Sequence, residues 1–197
     1  MANSDKSGIK GMIKYDLYKV LKEELGNGSS DLVTRQSGQT IRERIERDIV
    51  KEKDGEIISL DFSKIGVIDY SCADEIVAKL VSRLLSNEYG DRYIVLIGLT
   101  ENQRENIEVA LERKELAVMA QMRDKEKVLI GNLNKYLKDT LNLIAKKGNI
   151  TAKELSEKMN LEANASGMRL LNLYKKKLVK RSEAVQEGGK VWAYERI

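Results

Sequence analysis

The sequence predicts an α/β domain over residues 1–131 joined to a smaller, mainly α domain over residues 132–197. Three observations carry that division. Up to about residue 131, short β-rich runs alternate with amphipathic helical stretches, the pattern of an α/β layer fold. From Asn132 onward, three helical stretches are followed by two alternating runs. The charge also changes sign: residues 1–131 hold 21 Lys+Arg against 24 Asp+Glu, whereas residues 132–197 hold 14 against seven. The whole-chain net charge of +4 conceals a −3 half and a +7 half.

Residues 1–12 are polar and glycine-dotted, so they are expected to fray. From Tyr15, the apolar residues Leu17, Val20, Leu21 and Leu25 fall at helical spacing, and the NGSS run from Asn27 ends that helix. Asp31, Leu32, Val33 and Thr34 read as a short strand. Ser37 is placed as the N-cap of a surface helix whose buried stripe is Ile41, Ile45 and Ile49, closed by Gly55. Residues 56–62 (EIISLDF) form a strand. The run SCADEIVAKLVSRLLSN follows as an amphipathic helix, with Ser71 and Asp74 at cap spacing. RYIVLIGL is a second, nearly continuously apolar strand, and Thr100 caps a helix that turns Ile107 and Leu111 inward. LAVMAQM and KVLIG are two further short apolar runs.

In the basic half, Tyr136, Leu137, Leu141 and Ile144 share one face of a helix that stops at Gly148. Thr151 and Glu154 make a T-x-x-E capping box for a second helix. After a short connection around Leu161 comes a third helix, residues 163–178, and then a β-hairpin turning at QEGGK. Three helices and a hairpin, with a short turn between the second and third helices, is the layout of a winged helix-turn-helix.

Composition excludes several chemistries. The 197 residues contain no His, so the commonest general base, the usual triads and His-containing zinc sites are missing. One cysteine, Cys72, can form neither an internal disulfide nor a thiolate metal site. No cofactor and no metal are expected: there is no G-x-x-x-x-G-K-[ST], no G-x-G-x-x-G after a strand, and GNGSSD is a lone glycine-rich turn without a lysine. Cys72 itself has two readings, a first-turn thiol of lowered pKa or a small buried side chain. Met119 and Met122 are core or interface residues. No basic start with an apolar h-region and no 18-residue apolar run is present, so a cytoplasmic, non-enzymatic protein is expected, and the sequons at Asn27, Asn149 and Asn164 are accidental.

The third helix of the basic half supplies the candidate DNA-binding residues. Ala165, Arg169, Asn172 and Lys176 lie near one face, with Leu170, Leu171, Leu173 and Leu178 on the buried side. Arg169 and Asn172 suit bidentate contacts to base edges, and Ser166, Lys175 and Lys176 suit phosphates. Lys180, Arg181 and Lys190 bracket the hairpin, where backbone contacts are expected, although Glu183 and Glu187 oppose them. A solvated lysine-rich face on a protein-docking module is the other reading. The stretch from TAKELSEKM through the GGK tip to VWAYE resembles winged-helix transcription regulators of the broad bacterial and archaeal kind. The chain departs from them at Lys177, where many relatives carry Gly before the Leu-Val pair.

A second constellation lies in ISLDFSKIGVIDYSCADEIVAKLV. It resembles the STAS domains of anti-sigma-factor antagonists, and more closely a STAS-like group whose tract reads LDF, a short loop and S-x-A-D-E. Leu60, Asp61, Phe62, Asp69, Ser71, Ala73, Asp74 and Glu75 carry the match, and LVTRQSGQTIRERI matches the lead-in. The resemblance covers about residues 30–120 and implies an α/β STAS-like fold. In the antagonists, the Ser two positions after the Asp is phosphorylated by a partner kinase, and Ser71 holds that position. Ser71 is therefore either a phosphorylation site, adding about −1.5 to −2 charges beside Asp69 and Asp74, or a helix N-cap worth about 1 kcal/mol. Asp69 and Asp74 are candidate partner-surface residues, or simply loop and first-turn carboxylates favoured by the helix dipole.

The expectation is a DNA-binding regulator acting on duplex DNA, with a STAS-like sensing or interaction domain and dimerisation through the acidic half. The alternative is a partner-switching protein that meets a kinase or sigma-regulating protein. No membrane contact is expected.

Overall fold

The computed structural model describes residues 12–26, 28–186 and 189–197. The chain divides into two compact units, Met1–Asn132 and Leu133–Ile197.

The first unit is built on a five-stranded sheet. Its strands are β1 (Met12–Asp16), β2 (Ile57–Asp61), β3 (Tyr93–Leu99), β4 (Ala117–Met122) and β5 (Lys127–Gly131), in that spatial order. The first four run parallel and β5 returns antiparallel to β4. The connecting helices are α1 (Leu17–Leu25), α2 (Arg35–Ile49), α3 (Tyr70–Ala73), α4 (Lys79–Leu85) and α5 (Glu101–Glu112), with a π-helical turn, Asp74–Ala78, joining α3 to α4. α1 packs on α2, α2 on the π turn, and the π turn on α5, so the helices form one layer. Sequential parallel strands linked by right-handed crossovers put successive helices on the same face, which accounts for that layer. Strand alternation then divides the side chains. Ile58, Leu60, Ile94, Leu96, Val118 and Ala120 enter the core under the helices, while Ser59, Asp61, Tyr93, Val95 and Met119 take the opposite face.

The second unit contains α6 (Lys135–Lys147), β6 (Asn149–Thr151), α7 (Ala152–Met159), α8 (Ala163–Lys175), β7 (Val179–Gln186) and β8 (Gly189–Arg196). Its strands form a sheet in the order β6-β8-β7, both pairs antiparallel. Leu137, Leu141, Ile144, Ile150, Leu155, Leu170, Leu173, Leu178 and Val179 are buried. Along α6 and α8 the buried residues recur every three or four positions, and α7 adds Leu155, so the three helices share one core.

Several local expectations change. Tyr15 and Asp16 belong to β1, whose parallel pairing with β2 overrides the helical pattern, and α1 begins after Asp16, whose carboxylate accepts from the Lys19 N–H. Asp31–Thr34 does not form a strand beyond an isolated bridge between Leu32 and Ile68. Ser37 lies inside α2, and the cap is Thr34, whose hydroxyl accepts from the Ser37 N–H at 3.3 Å. Thr100 and Thr151 do cap their helices through complete capping boxes, with Gln103 and Glu154 respectively. The third helix of the basic half stops at Lys175. Lys176 is its cap, and Lys177 follows in the left-handed region at φ 56°. The frayed-terminus expectation, except at Met12, and the hairpin tip at Glu187 and Gly188 lie outside the described residues, as does Asn27.

Candidate functional site

In the first unit the residues that carry the STAS-like resemblance converge where α2 meets α3. Asp69 is the N-cap of α3: its Oδ1 accepts from the Cys72 N–H at 2.7 Å and from the Ser71 hydroxyl at 2.8 Å. Its Oδ2 accepts from the Thr34 N–H at 3.1 Å, tying the two helix starts together. Burial raises the Asp69 carboxyl pKa, but the N–H groups of Cys72 and Thr34 and the Ser71 hydroxyl outweigh it and hold the group below the usual carboxylate range. Ser71 is therefore not the cap. It sits inside the first turn and donates to the residue that is, because a carboxylate two positions earlier reaches the same N–H groups with a full charge. Thr34 itself has φ 76°, an uncommon backbone conformation for a β-branched residue, and its carbonyl accepts from the Cys72 thiol at 2.9 Å. Burial first, then the Asp69 charge, push the Cys72 thiol up to about 12, and the side chain is fully buried, which fits a small packing residue and not a thiol of lowered pKa.

Asp74 is not available as a partner surface. It is 6% exposed and pairs with Arg35 at 3.0 Å and Lys114 at 2.6 Å. Its neighbour Glu75, 2% exposed, pairs with Arg35 at 2.7 Å, with Arg42 at 3.4 Å and with Lys79. Burial opposes ionisation at both carboxyls, yet the surrounding cations hold both below the ordinary range. Arg42 also grips Glu46, which accepts from Arg83 and from the Tyr89 hydroxyl at 2.7 Å each. The S-x-A-D-E tract and its arginine-rich lead-in thus form one buried ion-pair network between α2 and the π turn.

In the second unit, α8 carries most of the candidate DNA-binding residues. Ser166 is completely buried, and its hydroxyl has no hydrogen-bond partner, so it is a core residue and cannot meet a phosphate. Arg169 is half-buried and lies over the Tyr136 ring of α6 at 5.3 Å. Asn172 and Lys176 are half-buried and Lys175 is exposed. At 3.6 residues per turn, Asn164, Met168 and Asn172 form a single stripe, and Arg169 and Lys176 stand roughly a quarter-turn away from Met168 toward α6. Met168 is 55% exposed and sits at the centre of the open face. The sequence pattern alone centres that face on Arg169, because a helical wheel does not show which flank a neighbouring helix covers. The stacking partner Tyr136 was the missing signal.

On the hairpin, Arg181 is held between the rings of Tyr174 at 4.3 Å and Trp192 at 4.4 Å. Trp192 was not among the candidates, although it is 44% exposed. Lys180 is half-buried on β7, opposite Glu195. Lys190 is exposed and pairs with Glu183 at 2.8 Å, which offsets its charge locally. Among the described residues no group of acidic, Cys or His side chains is arranged to hold a metal ion, and no helix is long and apolar enough to cross a membrane.

Residues 37–104 match the family described as a STAS-like domain of unknown function (DUF4325). The STAS-like match runs from the start of α2 to the start of α5, roughly a third of the chain. It encloses Gly38, Arg42, Asp69, Ser71, Asp74 and Glu75, so the carboxylates of the network lie within the matched segment, whereas their partners Arg35 and Lys114 lie just outside it. No curated protein matches the chain.

Proposed function

We propose that the chain is a DNA-binding transcriptional regulator in which residues 133–197 act as a winged helix-turn-helix and the STAS-like unit carries sensing or protein contacts. The observation that carries this reading is α8. It is a 13-residue helix without a single carboxylate, reached from α7 by a short turn, followed directly by the β7–β8 hairpin, and set in a segment of net charge +7. A helix of that kind fits the major groove, and the cations around it fit phosphates. A single such module meets a short half-site, so a homodimer formed through the first unit would extend the contact. The test is a gel-shift titration of the full chain on a random-sequence duplex at about 50 and about 200 mM salt. A shift at low salt that weakens steeply at high salt is expected; no shift at low salt overturns the reading.

A second reading, partner switching, is favoured by one feature of the first unit. The Leu32–Ile68 bridge turns Val33 and Val67 outward, 43% and 54% exposed, next to the start of α3 where Ser71 lies. Such a pair suits contact with a kinase or sigma-regulating protein. Intact-mass measurement of protein from its native host tests this: one added phosphate that disappears in Ser71→Ala supports it, and an unmodified chain in a stable DNA complex removes it.

A further inference from the structure

The open face of α8 has a definite chemical character. Asn164, Met168 and Asn172 follow one another at four-residue spacing, which keeps them on one line along the helix. The centre of that line is apolar and solvent-exposed; Ala165 beside it is small and exposed, and a β-carbon built on Gly167 meets nothing within 4 Å. The N-terminal half of that face is free of bulk, and at its C-terminal end the exposed Lys175, seven residues after Met168, joins the same line. Arg169, the side chain suited to guanine, is turned aside over Tyr136.

We infer that this stripe reads A·T base pairs, with Met168 packing against thymine 5-methyl groups and Asn164 and Asn172 pairing with adenine. The inference rests on the duplex-DNA reading above and deepens it. Three arguments support it. The occupant is anionic, because α8 contains no Asp or Glu, carries Arg169 and Lys175 and is followed by Lys176 at its C-cap, against the one carboxylate of Glu162 at its N-cap. The thymine methyl is the apolar group that base edges present in the major groove, and an exposed unbranched thioether is a side chain adaptable enough to pack on it. Asparagine amides match the N6 and N7 positions of adenine with a bidentate pair of hydrogen bonds, whereas guanine calls for Arg or Lys. Apolar centre and amide flanks thus specify the same two base pair types.

The experiment uses the full chain. Duplexes with a random centre are selected for binding over several rounds. The enriched duplex is then remade with deoxyuridine in place of every thymidine, which deletes the methyl groups and leaves the Watson–Crick pairing unchanged. Enrichment of A·T pairs is expected, with affinity falling about fourfold for each contacted methyl that is removed. Met168→Ala, an exposed change whose fold is checked by circular dichroism, is expected to weaken the thymidine duplex while leaving the deoxyuridine duplex unchanged. Enrichment of G·C centres, no enrichment at all, or equal affinity for the two duplexes overturns this inference and leaves the DNA-binding reading standing. No binding to any duplex at low salt overturns both.

Discussion

Gly38 and Cys72 approach so closely that a β-carbon at position 38 would stand 3.0 Å from the Cys72 Cα and 3.3 Å from its Sγ. The Glu75 Cβ would also lie at 3.0 Å. This contact sets the distance between α2 and α3, and with it the reach of Arg35 and Arg42 to Asp74 and Glu75.

Gly38→Ala is therefore expected to destabilise the protein by about 1–3 kcal/mol, since backbone and a Cβ must move apart to admit the methyl. Gly167→Ala is the control of opposite sign. It lies within α8 in open space, so the higher helix propensity of Ala should raise stability by about 0.5–1 kcal/mol. Thermal melts of the two variants against the parent chain decide the matter. Equal effects from both would mean that helix propensity, not the Cys72 contact, governs position 38.

The ion-pair network gives the fold an acid limb. Asp69, Asp74, Glu75 and Glu46 all have folded-state pKa values below their ordinary ones. The unfolded chain then binds more protons in the interval between the two values, so their stabilisation is complete above the unfolded pKa values of about 4 and lost as pH falls through the folded ones. Glu75→Gln leaves the buried Arg42 and its neighbours short of a counter-charge and should cost about 3 kcal/mol at pH 7. The gap between variant and parent should begin to narrow below about pH 4, where the unfolded parent takes up the proton, and close as pH falls through the lower folded-state value of Glu75. Urea melts at several pH values measure this, and a gap that does not change with pH would show that Glu75 acts by packing alone.

Lys177 occupies the position after the α8 cap with φ 56°. The N–H of Leu178 bonds to the Leu173 carbonyl at 3.1 Å and that of Lys177 to Tyr174 at 2.9 Å, the closing pattern in which glycine is preferred. The lysine here holds the left-handed shape that glycine adopts without a β-carbon penalty. Lys177→Gly should therefore raise stability by up to about 1 kcal/mol through release of the left-handed strain. A lowered melting temperature would instead assign the position to its contact with the Tyr174 ring.

The sequence made legible whatever is local. The apolar runs at β2 and β3, and the T-x-x-Q and T-x-x-E boxes at Thr100 and Thr151, need no distant partner to form. What it hid depends on residues far apart in the chain. β1 and β6 are short strands that exist because β2 and β8 offer them an edge. Asp69 displaces Ser71 as the α3 cap in a geometry that also ties it to the Thr34 N–H, 35 residues earlier. Asp74 reads as a partner surface or a first-turn carboxylate, yet Arg35 of α2 and Lys114 enclose it. The orientation of α8 was hidden for the same reason: Tyr136, on another helix, decides where Arg169 points.

That orientation separates two contributions that the sequence alone merged. Arg169 and Lys176 flank the stripe of Asn164, Met168 and Asn172 on the α6 side, placing them where a duplex seated on the stripe presents its phosphates. The double variant Arg169→Ala with Lys176→Ala is thus expected to weaken binding alike for all sequences and to lower the salt slope by about 2, one for each lost phosphate contact. Preference for the selected duplex over a scrambled one should survive. Affinities measured for both duplexes at three or more salt concentrations give the slope and the preference in one experiment. If preference disappears while the slope is unchanged, Arg169 reaches a base edge despite its ring partner, and the cation side of the helix is the reader.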